Sequence, residues 1–331
     1  MKNLIYLLLI LTIAGCGSKN ITIKTLYPSS IDINKNDKVF IANFKNDNIN
    51  QTQYIKDEIT NRSIENRKIF NVQNNKIDSD FIIQGEVLRS TLNSTFYYEE
   101  DFDTTRCVRY RHDRSRKKDI CVKYVRRIIP CEKRVYQVET QLDIEDQFNN
   151  ILFSKIYTKS KYENQCYRYN PPILPLSFYS NLNYSEDKFR VNTQLARKIA
   201  KDIIEDISVH YVYQKIEIID QLDNDYSKDI NEDFSLIVDL LVNGQIDNSM
   251  KKLNRLNLLL KQKSYEVLYN LALTYEAKNN LREAYFLYHK AYDICENIDK
   301  KKLINSAINR VNKNIINKQK AKLQLDNIQK Q

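Results

Sequence analysis

The chain has 331 residues, and its 52 lysine and arginine residues against 42 aspartate and glutamate residues give a net charge of +10 at pH 7. Its four glycines are too scattered to form a loop that cradles phosphate, which excludes the P-loop and dinucleotide-binding motifs. The three histidines, His112, His210 and His289, lie far apart in the sequence and belong to no metal or nucleophile motif. We therefore expect no enzyme activity, no cofactor and no metal site.

Residues 1–15 have the layout of a secretory signal. Lys2 precedes an apolar run of about ten residues, which is too short to span a bilayer. Ala14 and Gly15 are small, and Cys16 follows them directly. The segment is therefore predicted to be removed as a signal peptide. The alternative interpretation is an ordinary secretory signal in which the cysteine is incidental.

The end of this segment resembles the bacterial lipoprotein signal, in which the cysteine after the small residues is acylated. The resemblance implies that Cys16 carries acyl chains and that the lipid bilayer is a partner of the protein. Gly17 is not acidic, which in that family favours the outer membrane over the inner one. The expected location is the cell envelope, with the protein anchored by lipid in the outer membrane and facing the periplasm.

Residues 16–36 are polar and predict a tether, whereas residues 37–210 have the pattern of a folded α+β domain. Short apolar runs at 39–44, 69–72 and 80–92 predict strands, and apolar residues at helical spacing over 51–66 and 185–208 predict helices. A polar turn at 146–150 predicts a hairpin between two further strands. Together these elements predict a mixed or antiparallel sheet with flanking helices.

This order of elements, with the runs VFIANF at 39–44 and DFIIQG at 80–85, resembles the small α/β domain of envelope lipoproteins of the curli-secretion type. The resemblance covers about half of the chain. It implies a domain that builds oligomers or binds partners in the periplasm and that is not an enzyme. The long insert described next departs from that family, so pore formation is not carried over.

Residues 99–134 form a basic, cysteine-rich insert, because twelve of the residues from 106 to 134 are lysine or arginine and three are acidic. Its cations alternate with apolar residues, which predicts a twisted hairpin with a basic face that binds an anion such as a lipid head group or an acidic glycan. Nucleic acid is not expected in the envelope. The alternative is a solvated hairpin whose charge prevents aggregation of sheet edges. The candidate anion-binding residues are Arg109, Arg111, Arg114, Arg116, Lys117, Lys118, Arg126 and Arg127.

Four cysteines cluster around this insert, an even number that predicts two disulfides in an oxidising compartment. The candidates are Cys107, Cys121, Cys131 and Cys166. Three connectivities are possible, one of which joins Cys107 to Cys121 and Cys131 to Cys166. A zinc site is disfavoured, because no pair has the spacing of two to four residues that structural zinc sites use.

Residues 230–315 resemble tetratricopeptide (TPR) repeats. Between residues 264 and 298, large and small apolar residues follow the spacing of a helical hairpin of that family, and a degenerate copy precedes it by 35 residues. The resemblance implies a surface for a protein partner, with Tyr275, Tyr285 and Tyr288 as candidate contacts. The alternative is that the hairpins merely pack against the first domain. Residues 316–331 are predicted to be a polar tail that either extends the last helix or frays.

The predicted fold class is therefore α+β, with an N-terminal mixed or antiparallel sheet and flanking helices, followed by all-α TPR-like hairpins. The predicted function is a lipid-anchored, non-catalytic scaffold of the cell envelope that binds a protein partner. The alternative is an oligomeric component of an outer-membrane secretion or assembly complex of the curli-secretion type, in which homo-oligomers form.

Overall fold

The computed structural model describes residues 18–31, 38–64, 66–77, 79–167 and 184–327. The predicted signal peptide and Cys16 lie outside these ranges. The described residues form two compact units: those between 30 and 208 form the sheet unit, and residues 18–29 together with 209–327 form the helical unit. Within the described ranges, no helix is both long and apolar enough to cross a membrane.

The described residues form nine strands and seven helices. The strands are β1 (Asn20–Tyr27), β2 (Lys38–Ile41), β3 (Ser63–Ile64), β4 (Arg67–Lys68), β5 (Asn71–Gln73), β6 (Phe81–Asp113), β7 (Lys118–Asp146), β8 (Ile151–Cys166) and β9 (His210–Glu217). The helices are α1 (Gln51–Asn61), α2 (Tyr184–Ile207), α3 (Lys228–Val242), α4 (Ile246–Leu259), α5 (Tyr265–Ala277), α6 (Leu281–Ile294) and α7 (Ile298–Asn327).

The sheet unit contains a five-stranded mixed sheet in the order β5-β2-β6-β7-β8. Strand β2 pairs in parallel with both β5 and β6, whereas β6, β7 and β8 are antiparallel to one another. Strands β6 and β7 are 33 and 29 residues long, several times the usual strand length. The predicted insert is therefore a continuation of two central strands of the sheet.

Helix α2 covers one face of this sheet, and its burial follows from sequence periodicity. Along β7, the side chains of Tyr136, Val138 and Leu142 are fully buried, because every second residue of a strand points to the same face. Helix α2 contributes Leu195 and Ile199, which lie about one turn apart and are buried. The intervening residues of β7 are polar, so the opposite face of the sheet is the solvent side.

Gly85 in β6 lies at a position that has no room for a side chain. A Cβ atom there would overlap the carbonyl oxygen of Gln141 on β7 and the ring of Phe44. Phe44 is buried, and its ring lies directly over the strand at this point. The glycine thus allows an aromatic ring and a neighbouring strand to approach β6 together.

The helical unit has a two-stranded ribbon in its core. Strands β1 and β9 are antiparallel, in register from Asn20 opposite Glu217 to Tyr27 opposite His210. Ile21, Ile23 and Ile216 of this ribbon are buried in the same apolar cluster as the facing sides of the helices. The residues that we predicted to be a tether therefore contain a core strand.

The predicted fold class is wrong, because the C-terminal unit is not an all-α TPR-like array. Its core is completed by the β1 and β9 ribbon, and one of these strands comes from the N-terminal part of the chain. The described residues of the predicted polar tail extend the last helix. Helix α7 continues to Asn327, and its Ala321 and Leu325 are buried.

A buried ion pair joins three helices of this unit. The carboxylate of Glu276 in α5 has no exposed surface and accepts two hydrogen bonds from the guanidinium of Arg310 in α7, at 3.0 and 2.9 Å. The hydroxyl of Tyr288 in α6 donates to the same carboxylate at 2.9 Å. Burial raises the pKa of Tyr288, and the nearby Glu276 raises it further, so the phenol remains protonated.

We expect Arg310→Ala to destabilise the helical unit by about 3–5 kcal/mol, because it leaves the buried Glu276 carboxylate without its counter-charge. The double variant Glu276→Leu/Arg310→Met removes both charges and is expected to cost clearly less. Urea unfolding followed by the helical circular dichroism signal measures both variants. Equal losses of stability would show that packing, and not the isolated charge, accounts for the effect.

Candidate interaction arm

Strands β6 and β7 extend well beyond the rest of the sheet. The last residue pair that joins β7 to β8 is Cys131 opposite Cys166. Beyond it, residues 98–130 form a ribbon of two strands, from Tyr98 opposite Pro130 to Asp113 opposite Lys118. Along β7 the ribbon runs from Lys118 to Pro130, which at about 3.3 Å per residue is a length of about 40 Å. We call residues 98–130 the arm and residues 106–124 its tip.

Two disulfides hold the arm. Cys131 and Cys166 are joined where the arm leaves the sheet, and Cys107 and Cys121 are joined within the tip. The second disulfide lies at a run of register shifts between Asp103 and Tyr110, where the regular ladder is interrupted. A β-bulge disrupts pairing locally and increases twist, so a cross-link at this place keeps the two strands together.

A buried carboxylate lies directly beside the first disulfide. Glu132 in β7 has a fully buried side chain and forms an ion pair with Arg134 at 3.0 Å. It accepts further hydrogen bonds from the hydroxyls of Ser94, Tyr184 and Tyr167, the last at 2.8 Å. We call these five residues the root network. It ties β6, β7 and the start of α2 to the residue that follows β8.

Hydrogen bonding keeps Glu132 ionised in this buried position. Burial alone would raise the pKa of Glu132, but the bonds from Arg134, Ser94, Tyr184 and Tyr167 outweigh it and lower the pKa to about 2. Burial and the bond to Glu132 raise the pKa of Tyr167 to about 12, so this phenol remains a donor. The root network is therefore a charged cluster over the physiological pH range, in which four side chains donate to the Glu132 carboxylate.

The lower part of the arm is balanced in charge. Glu100 pairs with Arg126 at 3.0 Å and Asp101 pairs with Arg127 at 2.7 Å, both across the two strands. Asp103 accepts hydrogen bonds from Thr105, which lower its pKa. The acidic run of β6 thus lies opposite the second group of arginines on β7.

The tip is strongly cationic. Between residues 106 and 124 there are eight basic and two acidic residues. Of the two carboxylates, Asp113 accepts hydrogen bonds from Ser115 and lies 3.7 Å from Arg116, and Asp119 lies 2.9 Å from His112. In the described part of the chain, no ion pair involves Arg109, Arg111, Arg114, Lys117, Lys118 or Lys123.

Exposed apolar side chains accompany these charges. Val108 and Tyr110 in β6 and Val122 in β7 are 57%, 64% and 39% exposed at the tip. Nearer the sheet, Tyr98, Phe102 and Ile128 are also exposed, and the regular register places them on one face of the ribbon. A ribbon two strands wide has no interior in which to bury them.

The structure divides the predicted anion-binding residues into two groups. Six lie in the tip, namely Arg109, Arg111, Arg114, Arg116, Lys117 and Lys118. Arg126 and Arg127 lie nearer the sheet and pair with Glu100 and Asp101 of β6, and their role in anion binding remains a prediction. The predicted hairpin is also not a separate insert, because its two strands are continuous with β6 and β7 of the central sheet.

The predicted partner-binding tyrosines do not form an exposed surface. Tyr288 is fully buried and donates to Glu276, so its prediction as a contact residue is wrong. Tyr275 and Tyr285 are partly buried and pack against the core of the helical unit. The spacing that predicted these tyrosines as contacts is the spacing by which helices pack against one another.

Sequence reasoning missed the root network. Its signal was nevertheless present, because Glu132 and Arg134 continue the alternation of buried positions that includes Tyr136 and Val138. Two opposite charges on the buried face of a strand predict a paired, hydrogen-bonded cluster. The hydroxyls of Tyr167 and Tyr184 lie far from Glu132 in the sequence, so the periodicity of β7 could not predict that they bind it.

Among the described residues, one group approaches the geometry of metal ligands: Glu99 with Cys131 and Cys166. Because both cysteines are joined in a disulfide, this group offers no thiolate for a metal ion. A scan against models of known protein families finds no match to this chain, and a search of curated proteins finds no similar sequence.

The root network makes a prediction about pH. The pKa of Glu132 is about 2 in the folded chain and 4.5 for an unperturbed carboxyl, so its stabilising effect is complete above pH 4.5 and is lost as pH falls toward 2. We expect Glu132→Gln to lower the free energy of unfolding by about 3 kcal/mol at pH 7, and this difference to shrink in that acidic range. Urea unfolding at a series of pH values measures it.

Glu139→Gln is the matched control, because Glu139 lies on the solvent side of the same strand and its nearest cation, Arg89, is 3.9 Å away. Its effect should be within about 0.5 kcal/mol. If the Glu132→Gln difference stayed constant from neutral to acidic pH, the ionised form of Glu132 would not be the stabilising species.

Proposed function

We propose that this protein is a lipid-anchored, non-catalytic scaffold of the cell envelope that binds other envelope components through its arm. The observation that supports the proposal is a ribbon about 40 Å long that is cross-linked by a disulfide and held at its root by a second one. A free two-stranded ribbon is marginally stable in water. Because two disulfides and a buried network hold this one extended, we infer that its role is to contact another molecule.

The location rests on the sequence of the first residues and on cysteine usage. The segment that ends in Cys16 resembles a lipoprotein signal, and four of the remaining cysteines are paired in disulfides, as is usual outside the cytoplasm. An acylated cysteine would hold the protein at a membrane, because each buried CH₂ group contributes about 0.8 kcal/mol.

A second candidate function is an oligomeric component of an envelope secretion or assembly complex. It is favoured by the long edge strand β8, which in the described structure pairs only with β7. Ile156 and Tyr162 on this strand are 52% and 66% exposed. An open edge of sixteen residues with apolar side chains is a surface on which a second copy could add its own strand.

The anchor is tested by Cys16→Ala. We expect the wild-type chain to incorporate labelled palmitate and to fractionate with membranes after washing at high salt, because acyl chains do not depend on ionic contacts. The variant should lose the label and appear in the soluble periplasmic fraction. Equal labelling of the two chains would contradict acylation at Cys16.

The scaffold role is tested by shortening the arm. Replacing residues 100–128 with Asn-Gly would close a tight hairpin and keep Ile129, the Cys131–Cys166 disulfide and the root network. We expect in-cell cross-linking followed by mass spectrometry to recover a defined partner with the full arm and to lose it with the short one. Unchanged melting temperature of the helical and sheet units is the control for folding.

Cross-links between copies of this chain through β8, retained in the short-arm variant, would favour the oligomeric candidate instead. A charged substitution on the exposed face of that strand, Ile156→Lys, should then abolish the self-cross-links. Recovery of the same partner with and without the arm would contradict the role that we assign to the arm.

A further inference from the structure

The charge of the arm changes abruptly along its length. In its lower part, Arg126 and Arg127 are each paired with an acid of the opposite strand. In the tip, two carboxylates face eight basic residues, and both are already engaged by Ser115, Arg116 and His112. Charge that served only to keep strand edges apart would be needed along the whole ribbon. Its concentration at the far end indicates a ligand there.

The chemistry of the tip cations favours phosphate. Arg109, Arg111 and Arg114 are exposed, and a guanidinium presents parallel N–H donors that match two oxygens of one phosphate. Lys117 and Lys118 add point charges at the turn, where Lys117 adopts a left-handed backbone conformation. Each such cation near an anionic surface contributes about 1 kcal/mol to binding.

The apolar residues of the tip restrict the kind of phosphate ligand. Val108, Tyr110 and Val122 are exposed between the cations, where a soluble polyanion gives aliphatic side chains nothing to bury against. A bilayer offers both environments within a few ångströms, since anionic head groups lie directly above the acyl boundary. Tyrosine is also enriched at that boundary, because its ring is apolar and its hydroxyl is polar.

The tip is held in shape before it meets a ligand. The Cys107–Cys121 disulfide joins its two strands, and Asp113 fixes the start of the turn by accepting hydrogen bonds from the backbone and hydroxyl of Ser115. A surface that is already ordered loses less conformational entropy on binding. We propose that the tip of the arm binds the head-group layer of a bilayer that contains anionic phospholipid. This inference rests on the proposed envelope location but not on the scaffold role.

The test uses the chain from Gly17 onward, secreted behind an unrelated signal peptide so that no acyl group is added. We expect it to sediment with vesicles of phosphatidylglycerol and phosphatidylcholine and to remain free with phosphatidylcholine alone. The triple variant Arg109→Ala/Arg111→Ala/Arg114→Ala should lower the partition coefficient by about 100-fold. The matched control, Lys251→Ala/Lys252→Ala/Arg255→Ala, removes the same charge from an exposed part of α4 and should bind as the wild type does.

A second variant separates a bilayer from a soluble polyanion. Val108→Ser/Tyr110→Ser/Val122→Ser keeps every cation, so it should bind heparin as the wild type does and partition into anionic vesicles at least several-fold less. If this variant bound vesicles as well as the wild type, the apolar residues would not contact the bilayer, and the argument that favours a bilayer over a soluble polyanion would be wrong. Failure of the wild type to bind anionic vesicles would also overturn it, whatever the cross-linking of the acylated protein shows.

Discussion

The buried carboxylate of Glu132 is the interaction on which the arm depends. A ribbon of two strands has no core, so its direction is set where it leaves the sheet. There, Glu132 connects β6 through Ser94, β7 through Arg134, and α2 through Tyr184, next to the Cys131–Cys166 disulfide. An ionised group that is fully buried is costly unless each lone pair has a donor, and this carboxylate has four. The same geometry that compensates the charge therefore fixes the arm.

The two disulfides constrain different parts of the arm, one at its root and one in its tip. The bond at Cys131 closes the end of the three-stranded part of the sheet, where packing against α2 already orders the chain. The bond between Cys107 and Cys121 lies where the ladder between β6 and β7 is irregular. The distal disulfide is a covalent link between the two strands at this irregular place, so it acts directly on the shape of the tip.

Local periodicity predicted those elements whose information is local. Helices α1 and α2 and the turn between β7 and β8 follow from spacing of apolar residues and from a polar run. The pairing of β1 with β9 could not be predicted in this way, because Ile21 and Ile216 meet only through contacts between distant parts of the chain. The sequence predicted the positive charge of the tip. The pairing of Arg126 with Glu100 could be found only from the register between β6 and β7, which the structure provides. Composition thus gives the charge of a site, and register decides which charges remain available.

An acyl anchor and a cationic tip would act on a membrane in different ways. Under the proposed acylation, attachment is permanent, and the affinity of the tip does not need to hold the protein in place. Tethering raises the effective concentration of a nearby surface to the millimolar range, so a contact that is weak in solution is largely formed once the chain is anchored. Removing the tip charges would then change which surface the arm occupies and how this depends on salt, while the amount of membrane-bound protein stayed constant.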